Sequence, residues 1–115
     1  MKQQVGCVDI QAIQQYLRKF LEDRGWDKVG TPKNLSMALS VEVAELVELF
    51  QWDDNSSSEK VQEDEEWMGR IREEVADVFI YLIRLCDVLN IDLEEACWDK
   101  TKLNAKKHSL PSKRD

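Results

Sequence analysis

The sequence has 115 residues and a formal net charge of −7, so its length is that of one domain. We treat residues 1–115 as a single domain with a flexible tail over residues 109–115. The negative charge argues against a nucleic-acid or anionic-membrane partner, because both require a basic surface. There is no run of about 18 apolar residues that would indicate a transmembrane helix. The first ten residues contain no apolar signal core, and the three cysteines form no CxxC motif. We therefore expect reduced thiols and a cytoplasmic protein.

The apolar pattern predicts an all-α chain with four main helices and no strands. The predicted helices run from Asp9 to Arg24, from Thr31 or Pro32 to about Trp52, from about Trp67 to Leu89, and onward from Asp92. Asp9, Thr31 and Asp92 are the expected N-caps, because their side chains can accept a free backbone N–H of the first turn. Residues 53–58 read as a polar linker, and residues 59–66 as an exposed loop or a helix start. The simplest arrangement is a bundle of up-and-down helices.

The second helix combines apolar side chains around most of its circumference with acidic residues. Over residues 39–50 the apolar positions cover so many faces that the pattern predicts a buried helix. Glu42, Glu45 and Glu48 lie within it. Acidic side chains are seldom fully buried unless they are paired or bind a metal ion. These glutamates therefore indicate a site.

The third helix repeats this anomaly. Glu74 and Asp77 are three residues apart, as are Glu42 and Glu45, so each pair shares one helix face. Packing of the two helices would bring four carboxylates together. Two like charges 4 Å apart repel by about 4 kcal/mol at an effective dielectric constant near 20, so four ionised groups require cations. Oxygen ligands of this kind suit Mg²⁺ or Mn²⁺.

Motifs for other chemistry are missing. There is no phosphate-binding glycine loop, no dinucleotide fingerprint and no serine nucleophile elbow. A di-iron bundle needs Glu-x-x-His on two helices, whereas the chain has His108 alone. An all-carboxylate site suits magnesium, which commonly meets a phosphorylated ligand. Five further residues could contact the phosphates and the base of a nucleotide: Lys100, Asn104, Trp26, Trp52 and Tyr81. Each also has an ordinary interpretation as a core-edge aromatic residue or as part of a solvated helix face.

The acidic motifs and their flanks resemble the MazG-type all-α nucleoside triphosphate pyrophosphohydrolases, and in particular the dCTP pyrophosphatase branch. The resemblance rests on E-x-x-E at Glu42 and Glu45, followed by E-x-x-D at Glu74 and Asp77 with 28 residues between Glu45 and Glu74. The sequence FQW after the first acid pair and the K-x-x-x-N pattern of Lys100 and Asn104 strengthen it. Together the matching segments span most of the chain from 21 to 108.

The resemblance implies a MazG fold, and Mg²⁺-dependent hydrolysis of a (deoxy)nucleoside triphosphate, dCTP-type preferred, to the monophosphate and pyrophosphate. It implies that the four acids are catalytic and bind Mg²⁺, with Mn²⁺ as a substitute: Glu42, Glu45, Glu74 and Asp77. It places Trp26, Trp52 and Tyr81 around the base and sugar, with Lys100 and Asn104 on the nucleotide. It also implies a homo-oligomer, commonly a tetramer built as a dimer of dimers with sites near interfaces, and a house-cleaning role in the nucleotide pool.

Several alternatives remain open at the level of sequence. Some relatives carry a Glu directly before the first acid, where this chain has Val41, so the number of metal ions and the general base are undecided. The same reaction with a different base, such as dUTP, dATP or a modified nucleotide, is one alternative. A non-catalytic oligomerisation module is another, in which the acids would pair with Arg70, Arg72 and Arg84 across an interface.

Overall fold

The computed structural model describes residues 6–111 and contains helices but no strand within that range, which confirms the all-α class. Its elements are α1 (Ile10–Asp23), a 3₁₀ helix (Asp27–Val29), α2 (Pro32–Glu48), α3 (Ser58–Glu63), α4 (Glu65–Leu89) and α5 (Leu93–Lys107). Of the predicted tail, only residues 109–111 are described, and they form no helix. In the described part of the chain, no helix is long and apolar enough to cross a membrane.

The three predicted N-caps are present. The side chains of Asp9, Thr31 and Asp92 each accept the backbone N–H three residues further on, at 3.0, 3.2 and 3.0 Å. Each bond satisfies one of the N–H groups that a helix start leaves without a partner. The starts of α1, α2 and α5 are therefore local consequences of the sequence.

The segment before α4 differs from its predicted form. Residues 58–63 form the short helix α3, capped by Ser57, whose hydroxyl accepts the Lys60 N–H at 3.3 Å. A second cap, Asp64, follows at once and accepts the Trp67 N–H at 3.0 Å to begin α4. Two caps seven residues apart thus divide this segment into two helices.

The end of α2 also differs, because the helix stops at Glu48 rather than near Trp52. The N–H groups of Leu49 and Phe50 bond to carbonyls three residues back, at 3.1 and 2.9 Å. Such short-span bonds tighten and close the last turn of a helix.

α2 and α4 pack antiparallel along each other. At one end the indole N–H of Trp67 donates to the Leu49 carbonyl at 2.8 Å. At the other end a side-chain carbon at Gly30 would lie 3.1 Å from Nη2 of Arg84. The start of α4 therefore meets the end of α2, and the later part of α4 meets the loop before α2.

α1 is fastened to the second half of α4 by polar contacts. The Arg18 guanidinium donates to both carboxylate oxygens of Asp87, at 2.7 and 2.6 Å. The side-chain amide of Gln14 donates to the Ile83 carbonyl at 3.0 Å. These bonds hold α1 beside the part of α4 that lies beyond the acidic residues.

The expectation that α2 is a buried helix is wrong for the single chain, because α4 covers only one of its faces. Leu35 is its one buried residue, while Val41 and Val47 are 55% and 57% exposed. The radius of gyration is 18.2 Å, against about 13 Å for a compact domain of this length. The chain therefore leaves apolar surface uncovered that a compact monomer would bury.

Candidate active site

α2 and α4 bring three glutamates into one cluster. Glu42, Glu45 and Glu74 each offer a carboxylate oxygen, and these oxygens all lie within 4.8 Å of one another. Glu42 and Glu45 come from adjacent turns of α2, and Glu74 comes from the middle of α4. Hard divalent cations bind oxygen ligands at about 2.0–2.6 Å, so oxygens this close can surround one ion.

Two oxygens of this cluster have no hydrogen-bond partner. Oε2 of Glu42 and Oε2 of Glu74 are both buried and unpaired. A buried acceptor without a partner is costly, and the cost is greater when the group is charged. A divalent cation would supply the missing partner for both oxygens. The residues therefore fit a metal ion in three respects: the number of ligands, their carboxylate oxygens, and the two buried oxygens that lack a hydrogen-bond partner.

Burial and the neighbouring negative charges raise the pKa values of Glu42 and Glu74. The pKa of Glu42 rises to about 7, first through burial and then through the negative charge of Glu45. Burial, followed by the charge of Glu45, also raises the pKa of Glu74. Without a counter-charge the cluster therefore holds a proton near neutral pH, and a cation would take that proton's place.

Asp77 lies beside the cluster and outside the group of three. It is one turn of α4 from Glu74, and its charge contributes to the raised pKa values of both Glu42 and Glu74. The structure thus brings all four predicted acids to one region, with three of them in mutual contact range.

A cleft of about 460 Å³ opens on one side of the cluster. Besides Glu45 and Glu74, its lining includes Glu48, Glu73 and one basic side chain, Arg70. A cleft so rich in carboxylates attracts cations and cation-complexed anions.

On the other side of the cluster, the same face of α4 continues to Tyr81 and Arg84. Both are half-buried. The guanidinium carbon of Arg84 lies 5.3 Å from the centroid of the Tyr81 ring, within the range of a cation–π contact. Tyr81 therefore lies one helical turn beyond Asp77, on the face of α4 that carries the acids.

The two tryptophans predicted to flank the base lie at opposite ends of α2. Trp26 precedes the helix and is 53% exposed, while Trp52 follows it and is 90% exposed. The 17 residues of α2 span about 25 Å. Within one chain, Trp26 and Trp52 therefore cannot contact the same nucleobase, and a joint role requires a second copy.

The predicted phosphate-binding residues are also separate from the cluster within one chain. Lys100 and Asn104 lie on α5, which is exposed at every position after Leu93. α5 forms no extended packing with α2 or α4. The one turn between Lys100 and Asn104 puts both on one helix face, and their role stays a prediction.

Trp67 is a structural contributor that the sequence interpretation missed. Besides its hydrogen bond to Leu49, its ring lies 5.5 Å from that of Phe50, centroid to centroid. It lies two helical turns before Glu74 and so shares its face of α4. This two-turn spacing was the sequence signal that could have predicted contact between Trp67 and α2. The contact fixes the end of α2 against α4, and with it the positions of the acids.

The chain is similar to known proteins in both sequence and fold. A family model described as the MazG-like family matches residues 37–115. The match includes the part of α2 that carries the acids and all of α4, and the chain belongs to this family.

Individual relatives agree with this assignment. The chain is 31% identical to dCTP pyrophosphatase 1 of Mus musculus over 101 residues, covering 88% of this chain and 59% of the relative. It is 31% identical to dCTP pyrophosphatase 1 of Homo sapiens over 99 residues, covering 86% of this chain and 58% of the relative. The chain thus spans less than two thirds of the length of these relatives. A crystal structure of a pyrophosphatase from Archaeoglobus fulgidus has a TM-score of 0.79 and 42% identity, covering 95% of this chain and 100% of that one.

Proposed function

We propose that the chain hydrolyses (deoxy)nucleoside triphosphates, with dCTP-type substrates preferred, to the nucleoside monophosphate and pyrophosphate. The observation that carries this proposal is the glutamate cluster with two buried oxygens that lack partners. Membership of the MazG-like family supports the reaction class. The names of the relatives, dCTP pyrophosphatase 1 and a pyrophosphatase, support the bond and the substrate type.

The residues proposed to hold Mg²⁺, or Mn²⁺ in its place, are the four acids Glu42, Glu45, Glu74 and Asp77. When bound, the cation supplies charge to neutralise phosphate oxygens and lowers the pKa of a coordinated water. The number of ions is left open, as is the carboxylate that serves as general base.

The remaining groups are proposed to bind and orient the substrate. Glu48 and Glu73 line the cleft beside the cluster, where a carboxylate can accept the proton of an attacking water. Tyr81 and Trp26 offer aromatic surface to the sugar and base, and Trp52 does so from a second copy. Lys100 and Asn104 are proposed to bind the nucleotide and offset charge on the departing pyrophosphate.

The active form is proposed to be a homo-oligomer, a tetramer built as a dimer of dimers. Uncovered apolar surface on α2 supports this, because Met37, Val41 and Val47 are all more than half exposed. Light scattering coupled to gel filtration should give about four times the chain mass of 13.4 kDa. A monomer that hydrolyses nucleotides at full rate would contradict the assembly.

The setting is proposed to be cytoplasmic nucleotide-pool house-cleaning. Its support is that Cys7, Cys86 and Cys97 are all free thiols, as a reducing compartment favours.

The test is pyrophosphate release from a panel of ribo- and deoxyribonucleoside triphosphates, with Mg²⁺ and with EDTA. We expect monophosphate and pyrophosphate with Mg²⁺ only, and dCTP at the head of the panel. Release of inorganic phosphate instead, or equal release in EDTA, would refute the proposal.

A further inference from the structure

Among residues 6–111, Arg84 is a half-buried cation near the candidate site that has no anionic partner. It is half-buried on α4, and the ion pairs among residues 6–111 join Arg18 to Asp87 and Lys19 to Asp23. None of the side-chain hydrogen bonds of the described residues involves it either, whereas Arg18 donates two bonds to Asp87. Charged groups withdrawn from water are normally paired. The donors of Arg84 are therefore available to a ligand.

The guanidinium of Arg84 is held in place by its surroundings. A side-chain carbon at Gly30 would lie 3.1 Å from Nη2 and 3.9 Å from a methyl carbon of Leu35, so the glycine leaves room for the guanidinium. On its other side, Tyr81 lies 5.3 Å from the guanidinium carbon. A donor group confined between a loop and an aromatic ring loses little freedom when it binds, which favours selective recognition.

The position of Arg84 along α4 matches the base end of a nucleotide. Glu74, Asp77, Tyr81 and Arg84 follow one another on one face at spacings of three or four residues. Ten residues of helix separate Glu74 from Arg84, about 15 Å along the axis. With the α- and β-phosphates at the cluster, the sugar falls near Tyr81 and the base near Arg84.

The opposite orientation, with phosphates towards Arg84, is less well supported. The cleft with Arg70 opens on the other side of the cluster and offers a pyrophosphate an exit to solvent. The Arg84 side instead has the aromatic ring of Tyr81. Flat aromatic surface suits a base, since base stacking on such side chains is favourable.

We propose that Arg84 determines base specificity by donating a pair of hydrogen bonds to N3 and O2 of a cytosine base. A guanidinium has five donors and no acceptor, so it matches an edge with two adjacent acceptors. Cytosine offers N3 and O2 as adjacent acceptors. Uracil and thymine carry a hydrogen on N3, so they would lose one of the two hydrogen bonds. Their N3–H donor would also point at an N–H donor of Arg84. This inference rests on the proposed function and supplies a physical reason for a dCTP preference.

The first experiment compares dCTP, dUTP and the base-free 2-deoxyribose 5-triphosphate as substrates for wild type and Arg84→Met. A bidentate base contact is typically worth a factor of about 10 to 100 in discrimination. We expect Arg84→Met to lose that factor in kcat/KM for dCTP, to bring the dCTP to dUTP ratio near one, and to leave the base-free substrate unchanged. Arg72→Met, an exposed arginine on α4, is the matched control and should keep the wild-type ratio.

A second variant moves the guanidinium without removing it. Gly30→Ala places a carbon 3.1 Å from Nη2 and should lower the dCTP to dUTP ratio in the same direction, by a smaller factor. An unchanged ratio in Arg84→Met would overturn the proposal. An equal loss on dCTP and the base-free triphosphate would also overturn it, because Arg84 would then act on the phosphates or on the fold.

Binding of monophosphates separates this proposal from the proposed reaction. Calorimetric titration with dCMP, dUMP and 2-deoxyribose 5-phosphate needs no turnover. We expect wild type to bind dCMP more tightly than dUMP, and Arg84→Met to bind both like the base-free compound. Equal binding of dCMP and dUMP by wild type would refute the role of Arg84, whereas absent pyrophosphate release with selective dCMP binding would refute only the reaction.

Discussion

α2 and α4 pack against each other along their length, whereas α5 leaves the body of the chain after Leu93 and is exposed. The first region brings Glu42, Glu45 and Glu74 within 4.8 Å, so its chemistry is assembled inside one chain. The second carries Lys100 and Asn104 on one face but packs that face against neither acidic helix. The acids proposed to bind metal therefore come from one chain, whereas Lys100 and Asn104, in their proposed role, would have to come from a second copy of it.

The largest effect should come from removing the acids of the assembled region. Glu45→Gln, Glu74→Gln and Asp77→Asn should each leave a folded protein whose pyrophosphate release from dCTP falls by more than about 100-fold. The physical reason is loss of a metal ligand whose charge the cation offsets. Glu94→Gln, an exposed acid on α5, is the control and should keep wild-type activity. Turnover near the wild-type value in all three variants would refute the site.

The dependence of α5 on a partner predicts the next largest effect. Lys100→Met should raise KM for dCTP by about tenfold, the effect of one lost charge-assisted contact. Lys102→Met, on a different face of α5, should change KM little. At dCTP concentrations below KM, a mixture of Lys100→Met and Glu45→Gln chains, unfolded and refolded together, should hydrolyse dCTP faster than either variant alone. No recovery in the mixture would indicate that Lys100 serves its own chain.

The pH dependence of stability tests the crowding of the acids. Because the pKa of Glu42 is about 7 in the folded chain and ordinary in the unfolded one, the folded state binds the extra proton. The free energy of unfolding of the metal-free protein should therefore fall as pH rises from about 4.5 to 7, then level off. Thermal melts in EDTA should show this decline, and Glu42→Gln or added Mg²⁺ should reduce it. A melting temperature of metal-free wild type that rises between about pH 4.5 and 7 would show that the raised pKa of Glu42 does not govern stability in this interval.

The smallest effect concerns the contact that fixes the end of α2. Trp67→Phe removes the indole N–H that donates to the Leu49 carbonyl and should lower the free energy of unfolding by about 1 kcal/mol. Trp98→Phe on α5 is the matched control, since Trp98 is 61% exposed, and it should have a smaller effect. Urea unfolding of both variants gives the comparison. A larger loss in Trp98→Phe would mean that α5 is buried in the working assembly.

The difference between the two regions also explains what could be predicted from the sequence. The caps at Asp9, Thr31 and Asp92 are local, since each side chain meets a backbone group three residues away. The grouping of Glu42, Glu45 and Glu74 was predictable because acids at helical spacing in two apolar helices leave few other arrangements. Both inferences depend on short-range periodicity, which a sequence displays directly.

The features that escaped prediction depend on packing. The double cap at Ser57 and Asp64 lies in an acidic stretch whose apolar pattern is too short to show periodicity. The exposure of Val41 and Val47 was not predictable, because an apolar helix face has the same sequence pattern whether its own chain or a second chain covers it. To see that Trp26 and Trp52 lie far apart, one must know that α2 runs between them over about 25 Å. The space that Gly30 leaves for Arg84 required tertiary contacts.

Hydrolysis to the monophosphate and pyrophosphate at the glutamate cluster is proposed to proceed by attack of water on the α-phosphorus. Hydrolysis of dCTP with Mg²⁺ in ¹⁸O-enriched water, followed by mass spectrometry of both products, locates the oxygen that water supplies. We expect one labelled oxygen in dCMP and none in pyrophosphate, with formation of both products slowed more than about 100-fold in Glu45→Gln. Label in pyrophosphate, or dCTP left intact by wild type across the range of Mg²⁺ concentrations, would contradict it.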